Sequence, residues 1–166
     1  MGAHALVIAG DCNLWLESMS FLETTRKWFI FTILISFTSI FVHTAGQTGG
    51  FKHGYFEEPN LYHVWPRFDE ITHPLSSCAV TSILLNLNLP MTYRKKWIIS
   101  LVFGMVFGFI WEILEFIVAP MGFVKITLVD TLMDLHQDFY GSALAVLVYT
   151  IIMRESRVPT LTKFRL

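Results

Sequence analysis

Residues 97–119 read WIISLVFGMVFGFIWEILEFIVA, and the first ionisable side chain in that run is Glu112. A helix rises 1.5 Å per residue, so about 20 apolar residues cross the ~30 Å hydrocarbon layer of a bilayer. Lipid offers no water to hydrogen-bond exposed backbone groups, which makes the helix the form in which such a run crosses. Pro120 and Gly122 then supply a stop. Working outward, three more segments suit the same length. Residues 28–45 read WFIFTILISFTSIFVHTA, residues 69–89 form a more polar stretch, and residues 128–153 form the last. The polar stretch holds Ser76, Ser77, Thr81, Ser82, Asn86 and Asn88, which suits a helix surrounded by other helices. Pro74 falls in its first turns, where proline costs least, and Pro90 ends it. A mean hydropathy of +0.54 and 54% apolar side chains agree with these assignments. The fold class predicted is an all-α integral membrane protein, a four-span transmembrane helical bundle.

Residues 1–25 are read as an N-terminal tail or interfacial segment, because the apolar run 3–9 is too short to cross. Residues 26–155 form the membrane domain and 156–166 a cytoplasmic tail. Nine of the twelve Lys and Arg residues fall on one side of these spans. They are Arg26, Lys27, Arg94, Lys95, Lys96, Arg154, Arg157, Lys163 and Arg165, against Lys52, Arg67 and Lys125 on the other. The positive-inside rule then makes both termini cytoplasmic, in a multi-pass protein of the cell membrane. With a net charge of −1, nothing points to a nucleic-acid partner. Cys12 and Cys78 lie in different segments, and Cys78 is read as a small core residue rather than half of a disulfide.

Acidic and imidazole side chains gather in one layer of this topology. Asp69 and His73 begin the second span, Glu112 and Glu115 end the third, and Asp130, Asp134 and Asp138 begin the fourth. His43, at the end of the first, joins them. Spacings of three and four put each set on one helix face. A charge near the centre of a spanning helix costs ~2.5–3.5 kcal/mol on insertion scales, so such a cluster marks a site by default. Facing helices that each present carboxylates, with an imidazole nearby, are how bundle cores build metal sites. Oxygen-rich donors with one imidazole suit zinc, manganese, magnesium or iron. The bland alternatives are specific. Asp69, Glu70 and Asp130 are each explained by solvation at the interface. His136 turns away from Asp134 on the helical wheel and is peripheral. The small-residue pair Gly104 and Gly108 is a packing notch, and Gly141 is a place for a neighbouring helix to come close. The 47–68 loop is long and aromatic, suited to capping the outer site or to lying in the headgroups.

The ordered set FDEITH at 68–73, then Glu112-x-x-Glu115, then Asp134-x-x-x-Asp138-x-x-Gly141 resembles the VanZ-like superfamily of small membrane proteins. Its general pattern is Asp-Lys-x-x-His, Glu-x-x-Gln and Asp-x-x-x-Asn-x-x-Gly. The more acidic variant is closer to the YjdF-like group. Glu70, Glu115 and Asp138 depart from the general pattern, each adding negative charge, which favours a cation and weakens transfer of a glycopeptide-resistance role. The resemblance covers about residues 65–150 and implies an integral membrane protein whose activity is itself poorly defined.

Two functions follow as expectations. The first is a metal-dependent membrane hydrolase or transferase acting on a lipid or lipid-linked cell-envelope headgroup at the outer leaflet. Asp69, His73, Glu112 and Asp134 would be its catalytic residues, and His73, Glu112, Glu115, Asp134 and Asp138 its metal-binding residues. His73 is the acid–base candidate because imidazole titrates nearest neutrality. The second is a proton- or cation-coupled carrier or channel subunit, or a structural subunit, with homo-oligomerisation open. A conduit needs polar lining in the inner half, where the sequence offers Asn86 and Asn88.

Overall fold

The computed structural model describes residues 3–50, 61–65, 68–87, 89–121 and 127–155. Four long helices carry it: α1 (Ala3–Gln47), α3 (Asp69–Asn86), α4 (Tyr93–Val118) and α5 (Leu128–Glu155), with the short α2 (Leu61–Val64) between α1 and α3. The tail 156–166 and most of the loop assigned a capping role, residues 51–60 and 66–67, lie outside the described residues.

Each predicted span corresponds to a helix, with ends shifted by a few residues. Residues 1–25 differ more. The backbone from Ala3 onward is one helix continuous with the first span, through position 25 to Gln47. Hydropathy changes near Arg26, but no proline precedes Pro59, so nothing there breaks the helical hydrogen bonds. Two glycines end the helix instead. Gly49 and Gly50 take φ of 57° and 76°. The Gly50 amide donates to the Ala45 carbonyl at 2.7 Å and Gly49 to Gly46 at 3.3 Å, the paired bonds of a Schellman cap.

α3 is the central helix, packed on α1, α4 and α5, and most extensively on α5. Its inward positions are mostly polar: Thr72, His73, Ser77, Thr81 and Ser82 are all buried. The outside of the bundle is the reverse. Phe37 is 73% exposed and Phe116 72%, while Glu112, Asp134 and Asp138 are 6%, 4% and 2% exposed. An apolar exterior around a polar interior is what a lipid solvent selects, and an aqueous one opposes it. Two segments, Leu22–Gln47 and Tyr93–Val118, are long and apolar enough by themselves to cross a membrane, with mean hydropathies of 1.8 and 2.1. Only 17% of each is buried inside the protein, unlike the core helix of a soluble domain. α3 and α5 fall short on apolarity because they supply the polar interior.

Close approach of α4 to its neighbours, and of α5 to α3, depends on glycine. A Cβ at Gly104 would collide with the Ser142 and Thr81 hydroxyls, and one at Gly108 with the Asp138 carboxylate. A Cβ at Gly141 would strike the Pro74 carbonyl of α3. The notch and the helix-contact roles read from these glycines are therefore present. Cys78 is a buried free thiol, as expected.

Candidate functional site

Buried residues on α4 recur at every fourth position: Ser100, Gly104, Gly108 and Glu112. Such spacing keeps one face of the helix against its neighbours. Three small residues let α5 come in close, and the fourth position delivers a carboxylate to the same seam. Asp134 and Asp138 of α5 and His73 of α3 complete the cluster. His73 Nδ1 lies 3.5 Å from Asp138 Oδ2, and its Nε2 lies 3.9 Å from Asp134 Oδ1. Ligating atoms of His73, Glu112 and Asp134 all fall within 4.8 Å of one another. Glu112 Oε1 is buried with no hydrogen-bond partner. Below the ring, the Ser77 hydroxyl donates to the His73 carbonyl at 3.0 Å and fixes the turn that carries the imidazole.

The other expected residues take different places. Glu115 is half-buried and accepts a hydrogen bond from Trp111 Nε1 at 2.8 Å. It lies outside the group of three convergent ligand atoms. Asp69 is half-buried one turn before His73, with the Thr72 hydroxyl donating to its backbone carbonyl at 3.4 Å. Asp130 is exposed at the start of α5, where its amide donates to the Thr127 hydroxyl. His136 is exposed and packs on Tyr140, 4.5 Å between ring centres, so it is peripheral.

Sequence reasoning missed a ring of partners around the cluster. Tyr62 Oη lies 2.8 Å from His43 Nδ1. The His43 ring meets Trp111 edge-on at 5.5 Å, and Tyr62 meets Phe68 at 5.0 Å. Gly46 makes room for Tyr62 and Phe68 together. The i, i+4 spacing of Trp111 and Glu115 was a usable signal. The contact of Tyr62 with His43 was not, because it depends on how the 47–68 connection returns to the bundle.

Polar groups other than Asn86 also lie in the half of the bundle away from the cluster. Thr81 Oγ1 donates to Ser142 Oγ at 3.0 Å, and Asn86 Nδ2 to Thr32 Oγ1 at 2.6 Å. Ser82 and Ser100 hydroxyls are buried without partners. The expectation that Asn86 and Asn88 alone line this half of the bundle is extended: these serines and threonines are interleaved with apolar residues, and span-level hydropathy hides them.

A polar cluster inside an apolar-surfaced helical bundle defines an integral membrane protein with a buried carboxylate–imidazole centre. The chain belongs to the DUF2238 family of predicted membrane proteins, whose pattern matches residues 14–155. The YjdF-like group is a group of that family. Neither a curated protein nor a solved structure matches the chain.

Proposed function

We propose that this protein holds a divalent cation between His73, Glu112 and Asp134 and uses it on the headgroup of a lipid or lipid-linked envelope intermediate. The observation that carries this is the 3.9 Å separation of His73 Nε2 and Asp134 Oδ1. It is too long for a hydrogen bond, which ends near ~3.2 Å. It suits two ligands of one ion, since ligands bound at about 2.1 Å lie up to ~4.2 Å apart. The orphaned Glu112 Oε1 is the third donor such an ion would satisfy. Asp138, on the far nitrogen of the same ring, would orient the imidazole for such an ion. Glu115 drops from the ligand set to a partner of Trp111.

A cation held by His73, Glu112 and Asp134 would supply polarisation of a phosphoryl or ester oxygen, or activation of water. Asp69, half-buried at the approach to His73, is the remaining carboxylate for proton transfer. The VanZ-like likeness supports an envelope setting, and the basic bias of the loops supports an outer-leaflet site in a multi-pass cell-membrane protein with both termini cytoplasmic. Zinc, manganese and magnesium are the metals to test. The measurement is elemental analysis of protein purified without chelator. About one divalent ion per chain is expected in wild type and far less in Asp134→Ala. Wild-type protein that neither retains nor takes up any of these metals would remove the proposal.

The second reading is a proton- or cation-coupled carrier, alone or as a homo-oligomer. It is favoured by the buried Ser77, Thr81, Ser82, Ser100 and Ser142 hydroxyls that continue from the cluster into the other half of the bundle. Cation flux into proteoliposomes, abolished by Asp138→Asn, would move the assignment to that class.

A further inference from the structure

The opposite end of the bundle has a cavity of its own. It measures about 340 Å³ and is lined by Trp28, Leu85, Asn86, Lys96, Tyr149 and Met153, among others. From Lys96 to Glu112 along α4 is about 24 Å at helical rise, so this space is separate from the acidic cluster. We propose that it binds the phosphate-bearing headgroup of an anionic phospholipid from the adjoining leaflet.

The positive charge at the start of α4 has no acidic counterpart in its own turn. Arg94, Lys95 and Lys96 occupy the first turn of α4, and no acidic residue lies in that turn. That is the unfavourable end of a helix for cations, since its free amides already carry partial positive charge. An anion there relieves both. No acidic side chain lines the cavity among the described residues. Lys96 is half-buried, with Nζ 5.3 Å from the Tyr149 ring centre.

An unused donor lines the same cavity. Trp28 is 2% exposed, lines the cavity, and its indole Nε1 has no hydrogen-bond partner. The Nε1 of Trp97, which packs against the same core, is equally buried and unpartnered. A buried donor without an acceptor carries a desolvation penalty that a phosphate oxygen removes. The apolar part of the lining, Leu85 and Met153, favours an amphiphile over a free ion. Within one turn of Lys96, Ile98 and Ile99 are 54% and 44% exposed and mark where lipid begins. The Lys, the Trp28 indole and the apolar wall thus match phosphate, glycerol and the upper acyl chain.

The test is native mass spectrometry of the detergent-solubilised full chain titrated with short-chain phosphatidylglycerol, phosphatidylcholine or inorganic phosphate. Phosphatidylglycerol is expected to bind with one preferred site, with phosphatidylcholine and inorganic phosphate each at least tenfold weaker. Lys96→Gln should weaken it roughly tenfold, as for one lost charge-assisted hydrogen bond, and Lys96→Arg should restore most of it. Trp28→Phe, which keeps the ring and removes the N–H, should weaken it a few-fold. Lys95→Gln changes net charge equally on an exposed position and should leave affinity within twofold. Equal losses in Lys95→Gln and Lys96→Gln would overturn the proposal in favour of diffuse interfacial attraction. Equal binding of phosphatidylcholine, or of inorganic phosphate, would overturn it as well. Thermal melting of each variant separates misfolding from lost binding.

Discussion

Gly108→Ala places one methyl group against the Asp138 carboxylate, and its consequences divide cleanly between stability and site. The added Cβ would contact the oxygen, the carboxyl carbon and the Cβ of Asp138 at distances no real Cβ adopts without movement, save for the last at 3.1 Å. Rotation of the carboxylate alone does not relieve contact with its own Cβ, so Asp138 must shift or α4 must move from α5. Overpacking of this kind costs about 1–3 kcal/mol. Replacing glycine in a helix returns about 0.8–1 kcal/mol of propensity. The net loss is about 0–2 kcal/mol, or a few degrees of melting temperature at about 2–4 °C per kcal/mol. The site suffers more. Asp138 Oδ2 is 3.5 Å from His73 Nδ1, and losing an orienting carboxylate lowers metal affinity about 10–100-fold. Gly104→Ala is the matched control. Its Cβ meets the Ser142 and Thr81 side chains, with the Ser142 Cβ again at 3.1 Å, but no carboxylate. Competition of each purified variant with a chromophoric chelator reads affinity, and a thermal melt reads stability. Similar melting temperatures with an affinity loss confined to Gly108→Ala is the expected result. An equal affinity loss in both would mean general loosening of the α4–α5 seam, and no loss in either would mean that Asp138 does not orient His73.

Chelation should lower the melting temperature of wild-type protein, and zinc, manganese or magnesium should restore it. An ion at 100 times its dissociation constant adds about 2.7 kcal/mol of stability, and Asp134→Asn should abolish the response. Gly141→Ala should destabilise by more than Gly104→Ala, toward or beyond the upper end of about 1–3 kcal/mol, because its Cβ meets the backbone carbonyl of Pro74 and that cannot rotate away. Equal melting temperatures for the two would refute this. In a background lacking Cys12 and Cys78, Lys125→Cys should react with a membrane-impermeant maleimide in intact cells and Lys95→Cys should not; the opposite pattern would place the acidic cluster at the inner leaflet.

The spans were legible because two physical requirements act on every residue of them. Hydrocarbon demands an apolar surface, and absence of water demands internal backbone hydrogen bonds. Residues 97–119 satisfy both so fully that the helix is readable by eye. α3 and α5 were legible for the opposite reason: their polar residues repeat at helical spacing, so Asp134 and Asp138, or His73 and Ser77, could be assigned to one face before any neighbour was known. The continuation of α1 back to Ala3 was not legible from hydropathy, because a helix leaving the bilayer changes solvent without changing its backbone. Glu115 was assigned to the cluster on spacing to Glu112. Three residues turn a helix by about 300°, which leaves the two side chains about 60° apart, wide enough for one to face His73 and the other to reach Trp111.

Hydropathy summed along a span discards phase, and phase is what carries the buried polar pattern here. Ser100, Gly104, Gly108 and Glu112 add little to the average of α4, yet they are its entire buried stripe. Read as a stripe, they form a gradient. Two glycines and a serine admit close neighbours without demanding a partner, and then comes one carboxylate with an oxygen left unpaired. A lipid-facing helix gains nothing from that order, since glycine costs helix stability and the buried acid costs insertion energy. The glycines have a clear use: at Gly108 the missing side chain is the space that Asp138 occupies beside His73. The packing notch and the acidic cluster are therefore one device, in which α4 gives up side chains so that α5 and α3 bring their ionisable groups together around Glu112.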